Sequence, residues 1–446
     1  MKKHFCLFAL ALLLTCCSPV NISTSTPAAV PSTIIASTDT PLAAQSLPTS
    51  TLSITSTAPA SHPSILEVNK ACIKTVPPKR NSQGVLVFKQ SAFSRFIFQD
   101  SQAGTLKHVP PGNNGDIFLG VVSPNRESLF YIWDANDVSG KGRHILTDSS
   151  GISQTDIPFD FVFQSGGDVF WLNDKFLRVP DLDIQNKAVH NFSFDPVSGN
   201  KTSLADNLPA IIGNKNINWN IDPIATKIGI VTGTNIVYDP TLNHVLYPKE
   251  NGAISLYDLE TNTEIAQTTI PGWGRLPKWS NDGKYLAIIG TVSADPAHED
   301  RDEFLLVSRD GPRFQQATQL TSTFKSVHIE TYSWSPDGKQ IAFWLKTEKT
   351  QSDNPANPFE LAVLNLQTGQ VTMQCLTGTS EIEFDSGGYS RAADLIWSPD
   401  GTQLLIAQYT SKDKKKFHVM LVDLAESTDY EVAENMYQVG WMTKEP

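Results

Sequence analysis

The stretch Tyr332–Trp344, YSWSPDGKQIAFW, has the pattern of a β-strand, a tight turn and a second β-strand. Proline at the second turn position has a backbone φ already near the required value, aspartate tolerates the third position, and glycine supplies a positive φ. The residues on either side are mostly apolar, and several are β-branched or aromatic, which is typical of strands. The stretch therefore predicts an antiparallel hairpin that turns at Pro336, Asp337 and Gly338.

Two more copies of this phrase follow the same plan, PKWSNDGKYLAIIG around Trp279 and LIWSPDGTQLLIAQY around Trp397. Their tryptophans recur roughly every 55 to 63 residues, a period typical of propeller blades with loop insertions and too long for a helical-pair solenoid. We interpret the tryptophans as packing between blades. The recurring polar and small residues are interpreted as turn residues rather than ligands, namely Asp282, Gly283, Pro399, Asp400 and Gly401.

Weaker copies upstream complete the count of blades. GVVSPNRESLFYIW keeps the Ser-Pro pair, FVFQSGGDVFWLND keeps only a glycine turn, and NWNIDPIATKIGIVTG keeps Trp219 and a proline turn. The segment that begins at Ile236 either completes the Trp219 blade or forms another. Strands that begin near Gly84 lack a first strand, and YQVGWM around Trp441 is a first strand without a blade. Pairing the two ends would close the ring and remove exposed edges.

The fold class predicted from these repeats is all-β, a propeller of seven four-stranded blades closed by pairing of the N- and C-terminal strands. Six or eight blades are the alternatives. The apolar runs after each turn do not alternate with polar residues, which indicates small sheets covered on both faces by their neighbours. We place the propeller domain at residues 66–446.

The N-terminus predicts export. Residues 1–17 contain two lysines, a short apolar run and small residues, as in a secretory signal. The ending LLLTCC is similar to a bacterial lipobox with Cys17 as the lipid acceptor and Cys16 as the alternative; a plain secretory signal is the other interpretation. Residues 18–65 are rich in Ser, Thr and Pro without apolar periodicity, so we expect a disordered tether.

Charge and cysteine content narrow the chemistry further. A net charge of -11 and an isoelectric point near 5.3 oppose binding to a nucleic acid backbone. Outside the signal, the body has two cysteines, Cys72 and Cys375, which in an exported protein could form one disulfide or remain as two unpaired buried thiols.

The repeated WSPDG phrase, followed by a third strand such as ELAVLNL, resembles the TolB-type, WD-like propeller repeat. The same repeat occurs in the propeller domains of prolyl-oligopeptidase-like enzymes. The match is strong over residues 279–424 and weak over residues 84–262. It implies a fold and little about function, because such scaffolds host many activities. The N-terminal α/β domain of TolB and the G-x-S-x-G elbow of the oligopeptidases are both missing, so neither protein's role is carried over.

Longer connections lie on the face opposite the SPDG turns, where we expect any binding site. The cluster considered there comprises His298, Glu299, Asp300, Asp302 and Glu303, with His328 and Glu330 in the next connection. Such side chains could ligate a cation, with His298, Asp300 and His328 as the candidate ligands. Because the spacing matches no H-E-x-x-H helix and no EF-hand loop, we favour a solvated acidic loop. The lysine run of residues 412–416 is interpreted as a solvated hairpin tip.

No nucleophile, base and orienting group can be assembled from the spacing, so we assign no catalytic residue, no metal and no cofactor. The predicted function is a lipid-anchored binding scaffold outside the cytoplasm whose partner is an envelope protein or peptide. We expect a monomer that touches the membrane only through its lipid. The alternatives are a propeller-class lyase or hydrolase acting on polysaccharide in the axial funnel, and an inert member of a larger machine.

Overall fold

The computed structural model describes residues 68–79, 82–90, 95–109, 116–134, 143–151, 154–157, 170–183, 188–204, 237–248, 253–269, 275–291, 301–309, 311, 314–353, 359–376, 395–409 and 417–444. These ranges form seven small sheets and two short helices. None of the helices in these ranges is long and apolar enough to cross a membrane. The predictions for the lipid acceptor and the tether concern residues outside these ranges.

The first five strands of the chain serve three different blades. They are β1 (Val68–Cys72), β2 (Lys74–Thr75), β3 (Val85–Lys89), β4 (Phe96–Asp100) and β5 (Leu106–Val109).

Blades 1 to 4 are four-stranded antiparallel meanders in chain order. Blade 1 contains β6 (Asp116–Val122), β7 (Leu129–Asp134), β8 (Arg143–Thr147) and β9 (Gln154–Ile157). Blade 2 contains β10 (Phe170–Trp171), β11 (Leu177–Asp183), β12 (Ala188–Phe194) and β13 (Lys201–Ser203). Blade 3 contains β14 (Val237–Tyr238), β15 (His244–Pro248), β16 (Ala253–Asp258) and β17 (Thr263–Thr269). Blade 4 contains β18 (Arg275–Trp279), β19 (Tyr285–Thr291), β20 (Asp302–Ser308) and β21 (Gln315–Gln316).

The remaining strands form blades 5 to 7. Blade 5 contains β22 (Val327–Trp334), β23 (Gln340–Thr347), β24 (Phe359–Asn365) and β25 (Val371–Cys375). Blade 6 contains β26 (Ile396–Trp397), β27 (Gln403–Tyr409), β28 (Phe417–Asp423) and β29 (Thr428–Glu434). The last strand, β30 (Tyr437–Met442), joins β3, β4 and β5 in blade 7. The helices are α1 (Leu320–Thr323), after β21, and α2 (Glu348–Asp353), between β23 and β24.

The ring closes as the sequence predicts. Strand β30 pairs antiparallel with β3, with Trp441 opposite Leu86 and Met442 opposite Val85. The indole nitrogen of Trp441 donates to the Gln83 carbonyl at 2.9 Å. The seven-bladed propeller and its closure by the two chain ends are therefore confirmed, and the segment that begins at Ile236 contributes a blade of its own, blade 3.

The core lies between blades rather than within any one of them. One apolar cluster joins blades 4 and 5, another joins blades 5 and 6, and others fill the interfaces of blades 3 and 4, 6 and 7, and 7 and 1. A sheet that is covered on both faces needs apolar residues at successive positions, which is why the strands read as continuous apolar runs. In β23, Ile341 to Leu345 are all buried.

Tryptophans near the ends of first strands connect neighbouring blades by a repeated hydrogen bond. The indole nitrogen of Trp334 donates to the Lys278 carbonyl at 2.9 Å, and that of Trp397 donates to the Ser333 carbonyl at 3.2 Å. In each case the acceptor is the residue just before the matching tryptophan of the preceding blade. Trp334 and Trp397 are also buried in the clusters between blades, so their role is structural.

The turns that follow these tryptophans define what we call the turn face. Ser335 Oγ donates to Asp337 Oδ1 at 2.7 Å and accepts from the Gln340 amide at 2.9 Å. Gly338 has a φ of 67°, in the left-handed region that glycine adopts readily. The turns at Asp282, Gly283 and at Pro399, Asp400, Gly401 repeat this arrangement.

Blade 2 departs from the sequence interpretation. The glycines of the FVFQSGGDVFWLND copy precede β10 and lie outside the described residues. The turn follows Trp171 instead, where Asn173 Oδ1 accepts from the amides of Lys175 and Phe176 at 2.9 and 2.8 Å. An asparagine side chain can replace a backbone partner in a turn, so a glycine is not required there.

Blades 5 and 6 each gain a fifth strand that the repeat does not indicate. Strand β1 pairs parallel with β25 on the outer edge of blade 5, and β2 pairs parallel with β29 on the outer edge of blade 6. A disulfide joins Cys72 and Cys375, which are opposite each other in this register. We call residues 68–76 the strap.

Candidate functional site

The face opposite the turns, called the loop face, carries the candidate site. Strand β22 runs toward its turn at Pro336, so its first residues lie on the loop face. Strand β20 is a third strand and runs in the same sense, so Asp302 at its start also lies there. An isolated bridge between Arg301 and Val327 brings the beginnings of these two strands together.

His328 is held between two carboxylates from neighbouring blades. Its Nε2 atom lies 2.8 Å from Glu330 Oε2 in the same strand. Its Nδ1 atom lies 3.4 Å from Asp302 Oδ2 of blade 4. The same Asp302 oxygen accepts from the Ile329 amide at 2.8 Å, which fixes the carboxylate against the blade 5 backbone. The imidazole ring also contacts Phe359 edge-on, with centroids 6.2 Å apart.

The three groups differ in their exposure. Asp302 is almost fully buried, whereas the side chains of His328 and Glu330 are 25% and 29% exposed. A molecule that binds to the loop face could therefore contact the imidazole and the Glu330 carboxylate. Asp302 lies beneath them, on the protein side of the imidazole.

Glu303, the neighbour of Asp302, has a structural role. It is fully buried, and its carboxylate accepts from the Thr318 hydroxyl, from the amides of Leu320 and Thr321, and from the Thr321 hydroxyl. A buried carboxylate needs such partners to offset its lost hydration. Glu303 thus holds α1 on blade 4 and is not available to a ligand.

The loops around the cluster are fixed to one another. Glu348 Oε2 accepts from the Ser326 amide at 3.0 Å, and the Lys349 ammonium lies 5.3 Å from the centre of the Phe324 ring. Burial acts to raise the pKa of Glu348, but hydrogen bonds from the Lys325 and Ser326 amides hold that pKa below its usual value. These contacts fix the segments next to His328; the predicted solvated loop that carries His298, Glu299 and Asp300 lies outside the described residues.

The chemistry of the cluster is suited to binding a positively charged group. Both imidazole nitrogens of His328 face carboxylates, so neither is free to take a proton from a substrate. The cluster places two carboxylates beside one imidazole, and carboxylate oxygens are good acceptors for a cationic donor. No group of three or more potential metal ligands occurs in the described ranges.

The sequence candidates divide into four sets. His328, Glu330 and Asp302 come together, Glu303 is structural, and the turn aspartates lie on the turn face. His298, Glu299, Asp300 and the lysine run of residues 412–416 lie outside the described residues.

Sequence analysis missed Arg126, which connects three blades on the turn face. Its Nη1 atom donates to the Trp397 carbonyl of blade 6 at 2.6 Å, and its own carbonyl accepts from the Thr443 amide after β30 at 2.9 Å. Burial lowers the pKa of Arg126 to about 10, against the opposing influence of Asp400. The only sequence signal is that an arginine follows Asn125 where the turns of blades 4, 5 and 6 have glycine.

Comparison with known proteins finds only distant structural similarities. No family model matches the sequence, and no curated protein sequence matches it. Among solved structures, an oligogalacturonate lyase in complex with manganese is 13% identical, with 76% of this chain and 86% of that chain covered and a TM-score of 0.49. TolB from Acinetobacter baumannii is 15% identical, with 80% and 82% covered and a TM-score of 0.39. The Cps50 (Swd1) β-propeller domain of Myceliophteria thermophila is 13% identical, with 83% and 99% covered and a TM-score of 0.42.

Sequence identities this low carry no information about the substrates or partners of this protein. The assignment of a seven-bladed propeller rests on the seven sheets and on the pairing of β3 with β30.

Proposed function

We propose that this protein is a binding scaffold at the cell envelope, and that the loop face of blades 4 and 5 recognises a basic group of an envelope protein or peptide. The observation that carries the proposal is the placement of His328 between Glu330 and Asp302. Carboxylates accept hydrogen bonds from lysine or arginine, and these charge-assisted bonds are stronger than neutral ones.

The geometry is less suited to the alternative, an enzyme acting on polysaccharide. General acid or base catalysis needs a side chain that is free to exchange a proton with the substrate. The imidazole of His328 has no free nitrogen unless it first breaks its contact with Glu330 at 2.8 Å. A binding site needs only that the outer edges of these side chains remain accessible, as they do.

The envelope location is part of the same proposal and is supported by the sequence of residues 1–65. Lipid attached to Cys17 would fix the protein to a membrane, and the Ser/Thr/Pro-rich tether would let the propeller reach partners at a distance set by coil statistics. A disulfide between Cys72 and Cys375 is consistent with an oxidising compartment.

Affinity capture with matched variants tests the binding role. Full-length protein is used to capture partners from envelope extract, and the affinity of the recovered partner is then measured for Glu330→Gln, which removes one charge from the site. The control is Glu127→Gln, the same change in an exposed turn on the other face. We expect the site variant to weaken binding about tenfold, equivalent to ~1.4 kcal/mol, and the control to bind normally. Equal affinities of the two variants, or turnover of glycans without any stoichiometric partner, would contradict the proposal.

Fractionation of cells tests the anchor. Cys17→Ser is expected to move the protein from the membrane fraction to the soluble fraction, while Cys16→Ser leaves it membrane-bound. The reverse result would assign the lipid to Cys16, and membrane release by neither variant would refute the anchor.

A further inference from the structure

The strap lies across the outer edges of two blades. Beyond the pairing of β1 with β25, the Ile73 amide donates to the Cys375 carbonyl at 3.0 Å. After the chain crosses to blade 6, the Lys74 amide donates to the Ser427 carbonyl at 3.0 Å. The strap therefore connects blades 5 and 6 from outside the ring.

Among the strap side chains that the structure describes, only that of Ile73 is deeply buried. Ile73 is 1% exposed and packs in the apolar cluster between blades 5 and 6 that includes Trp344 and Trp397. Its described neighbours on the strap are half-buried or exposed. Noncovalent retention of the strap thus depends on Ile73, on the half-buried Val68 and Val76, which pack against neighbouring apolar clusters, and on backbone hydrogen bonds at a sheet edge.

The residues that pair with the strap include buried polar groups with unmet hydrogen-bonding capacity. Gln374 lies opposite Ala71, and Asp429 lies opposite Thr75. Gln374 is 4% and Asp429 is 1% exposed; Gln374 Oε1 has no hydrogen-bond partner in the described part of the chain, whereas the Asp429 carboxylate has a side-chain hydrogen bond with Thr75 of the strap.

Burial also affects the two carboxylates that lie along the strap, Asp429 and Glu360. Burial raises the pKa of Asp429, and the Thr75 side chain acts in the opposite direction. Burial also raises the pKa of Glu360, and its pairing with Lys70 at 3.7 Å opposes the rise. Buried polar groups without partners cost free energy, and water can solvate them once a covering segment leaves. Release of the strap would let water reach Gln374, Glu360 and Asp429, and this hydration would offset part of the contacts that release gives up.

The disulfide is the covalent hold on this strap, and it is accessible. Cys72 is exposed and Cys375 is half-buried, on the outer edge of blade 5. Exposed disulfides can be attacked by thiolates, whereas buried ones are protected.

We propose that the strap is a reductively released latch. A dithiol reductant, such as a protein of the thiol–disulfide oxidoreductase class, attacks one sulfur of the Cys72–Cys375 bond through a thiolate and forms a mixed disulfide. Its second thiol then displaces the protein sulfur, so the protein ends with two thiols and the reductant with one disulfide. The freed strap leaves blades 5 and 6 and uncovers the outer edges of β25 and β29 with the pocket of Ile73.

Release of the strap does not require the ring to open. Closure depends on β3 and β30, which pair over five residue pairs inside blade 7. Trp441 is anchored to the Gln83 carbonyl, beyond the strap. The hydrogen bonds of the latch and those of the ring closure are thus separate, and an experiment can distinguish them.

Hydrogen exchange of the full chain, oxidised and reduced, tests the proposal. We expect reduction to lower the protection of the amides of Ile73, Lys74 and Val76 by about tenfold or more, while the amides of β3 keep their protection. The double variant Cys72→Ser/Cys375→Ser is expected to show the open pattern without reductant and to be insensitive to it.

Asp429→Asn provides the second measurement. An amide has no ionisation penalty at this position, so the reduced variant should retain more strap protection than the reduced wild-type protein. Unchanged strap protection after reduction would overturn the proposal. Loss of protection in β3 together with the strap would overturn it as well, since the disulfide would then be a staple of the whole fold.

Discussion

The two faces of the ring are built on different principles. On the turn face, Ser335 in blade 5 and Ser123 in blade 1 make the same contacts, although one turn reads SPDG and the other SPNR. On the loop face, neighbouring blades share little: blade 4 carries α1 held by Glu303, and blade 5 carries α2.

This contrast distinguishes residues that the fold requires, on the turn face, from residues that the fold does not constrain, on the loop face. Each blade must turn from its first to its second strand, so one geometry recurs wherever a sequence can supply it. The loop face has no such shared requirement, and residues that converge there, as His328 and Glu330 do, are candidates for function. The following predictions test that division, beginning with the largest effect.

Gly84→Ala is expected to be the most damaging change, because it affects ring closure on the turn face. Gly84 has a φ of 115°, and an added Cβ would lie 2.4 Å from the Met442 carbonyl oxygen and 2.8 Å from Trp441 Nε1. We expect a loss of about 3 kcal/mol or more in the free energy of unfolding, measured by denaturant titration.

The control for Gly84 is Gly199→Ala. Gly199 also has a positive φ, 74°, but no atom lies within 4 Å of its added Cβ. This variant should lose only about 1 kcal/mol, the cost of the left-handed backbone. Equal losses at the two glycines would show that backbone conformation, and not the close approach of β30, limits closure.

His144→Phe tests the loop face at acid pH. His144 is buried in β8 and stacks on Phe130 at 6.0 Å, and burial lowers its pKa to about 4. The unfolded chain has the higher pKa, near 6.5, so protonation favours unfolding. Stability is full above pH 6.5 and declines until about pH 4, by up to ~3 kcal/mol.

Thermal unfolding at pH 7, 5 and 4 measures this effect. The phenylalanine keeps the stacking and cannot be protonated, so the variant should lose less stability on acidification than the wild-type protein. A parallel decline of the two proteins would mean that other groups dominate the acid limb.

Ser335→Ala and Ser123→Ala compare a strong and a weak copy of the turn. Both hydroxyls are buried, and each donates to the side chain two residues later and accepts a backbone amide. Loss of these bonds leaves buried polar groups unpaired, which costs about 1 to 2 kcal/mol. Similar losses in both variants, measured by chemical denaturation, would support a shared geometry. A loss confined to Ser335 would show that the SPNR turn is held in another way.

The sequence predicted the propeller because its signals are local and repeated. Proline, aspartate and glycine at fixed spacing specify a turn, and Trp441 with the strands near Gly84 specifies closure. The strap was missed because a short parallel strand on an outer edge carries no turn and little apolar pattern. Arg126 was missed because its partner, Trp397, is distant in the chain.

The candidate site was predictable only as a neighbourhood. Sequence placed Asp302, Glu303, His328 and Glu330 on one face, as found. Adjacent residues of a strand point to opposite sides, so Asp302 contacts the imidazole while Glu303 holds α1. Sequence alone could not show which of the two carboxylates faces His328. That distinction depends on contacts between blades.

Asp337→Asn should have the smallest effect, because blade 1 already uses Asn125 at this position. Ser123 donates to Asn125 Oδ1 at 2.6 Å, as Ser335 donates to Asp337 Oδ1 at 2.7 Å. An asparagine oxygen can therefore accept the same bond, and we expect a change below about 0.5 kcal/mol at neutral pH.

The two forms of residue 337 should diverge only in acid. Burial acts to raise the pKa of Asp337, but hydrogen bonds from Ser335 and Lys339 hold that pKa below its usual value. The carboxylate therefore contributes stability above its unfolded pKa, near 3.8, and this contribution is lost as pH falls through the folded value. Melting temperatures of the variant should thus decline less than those of the wild-type protein below pH 4, because an amide does not titrate there. A variant that is markedly less stable at pH 7 would show that the turn of blade 5 requires a charged side chain. The hydrogen-bond geometry shared with the blade 1 turn would then not be sufficient to stabilise it.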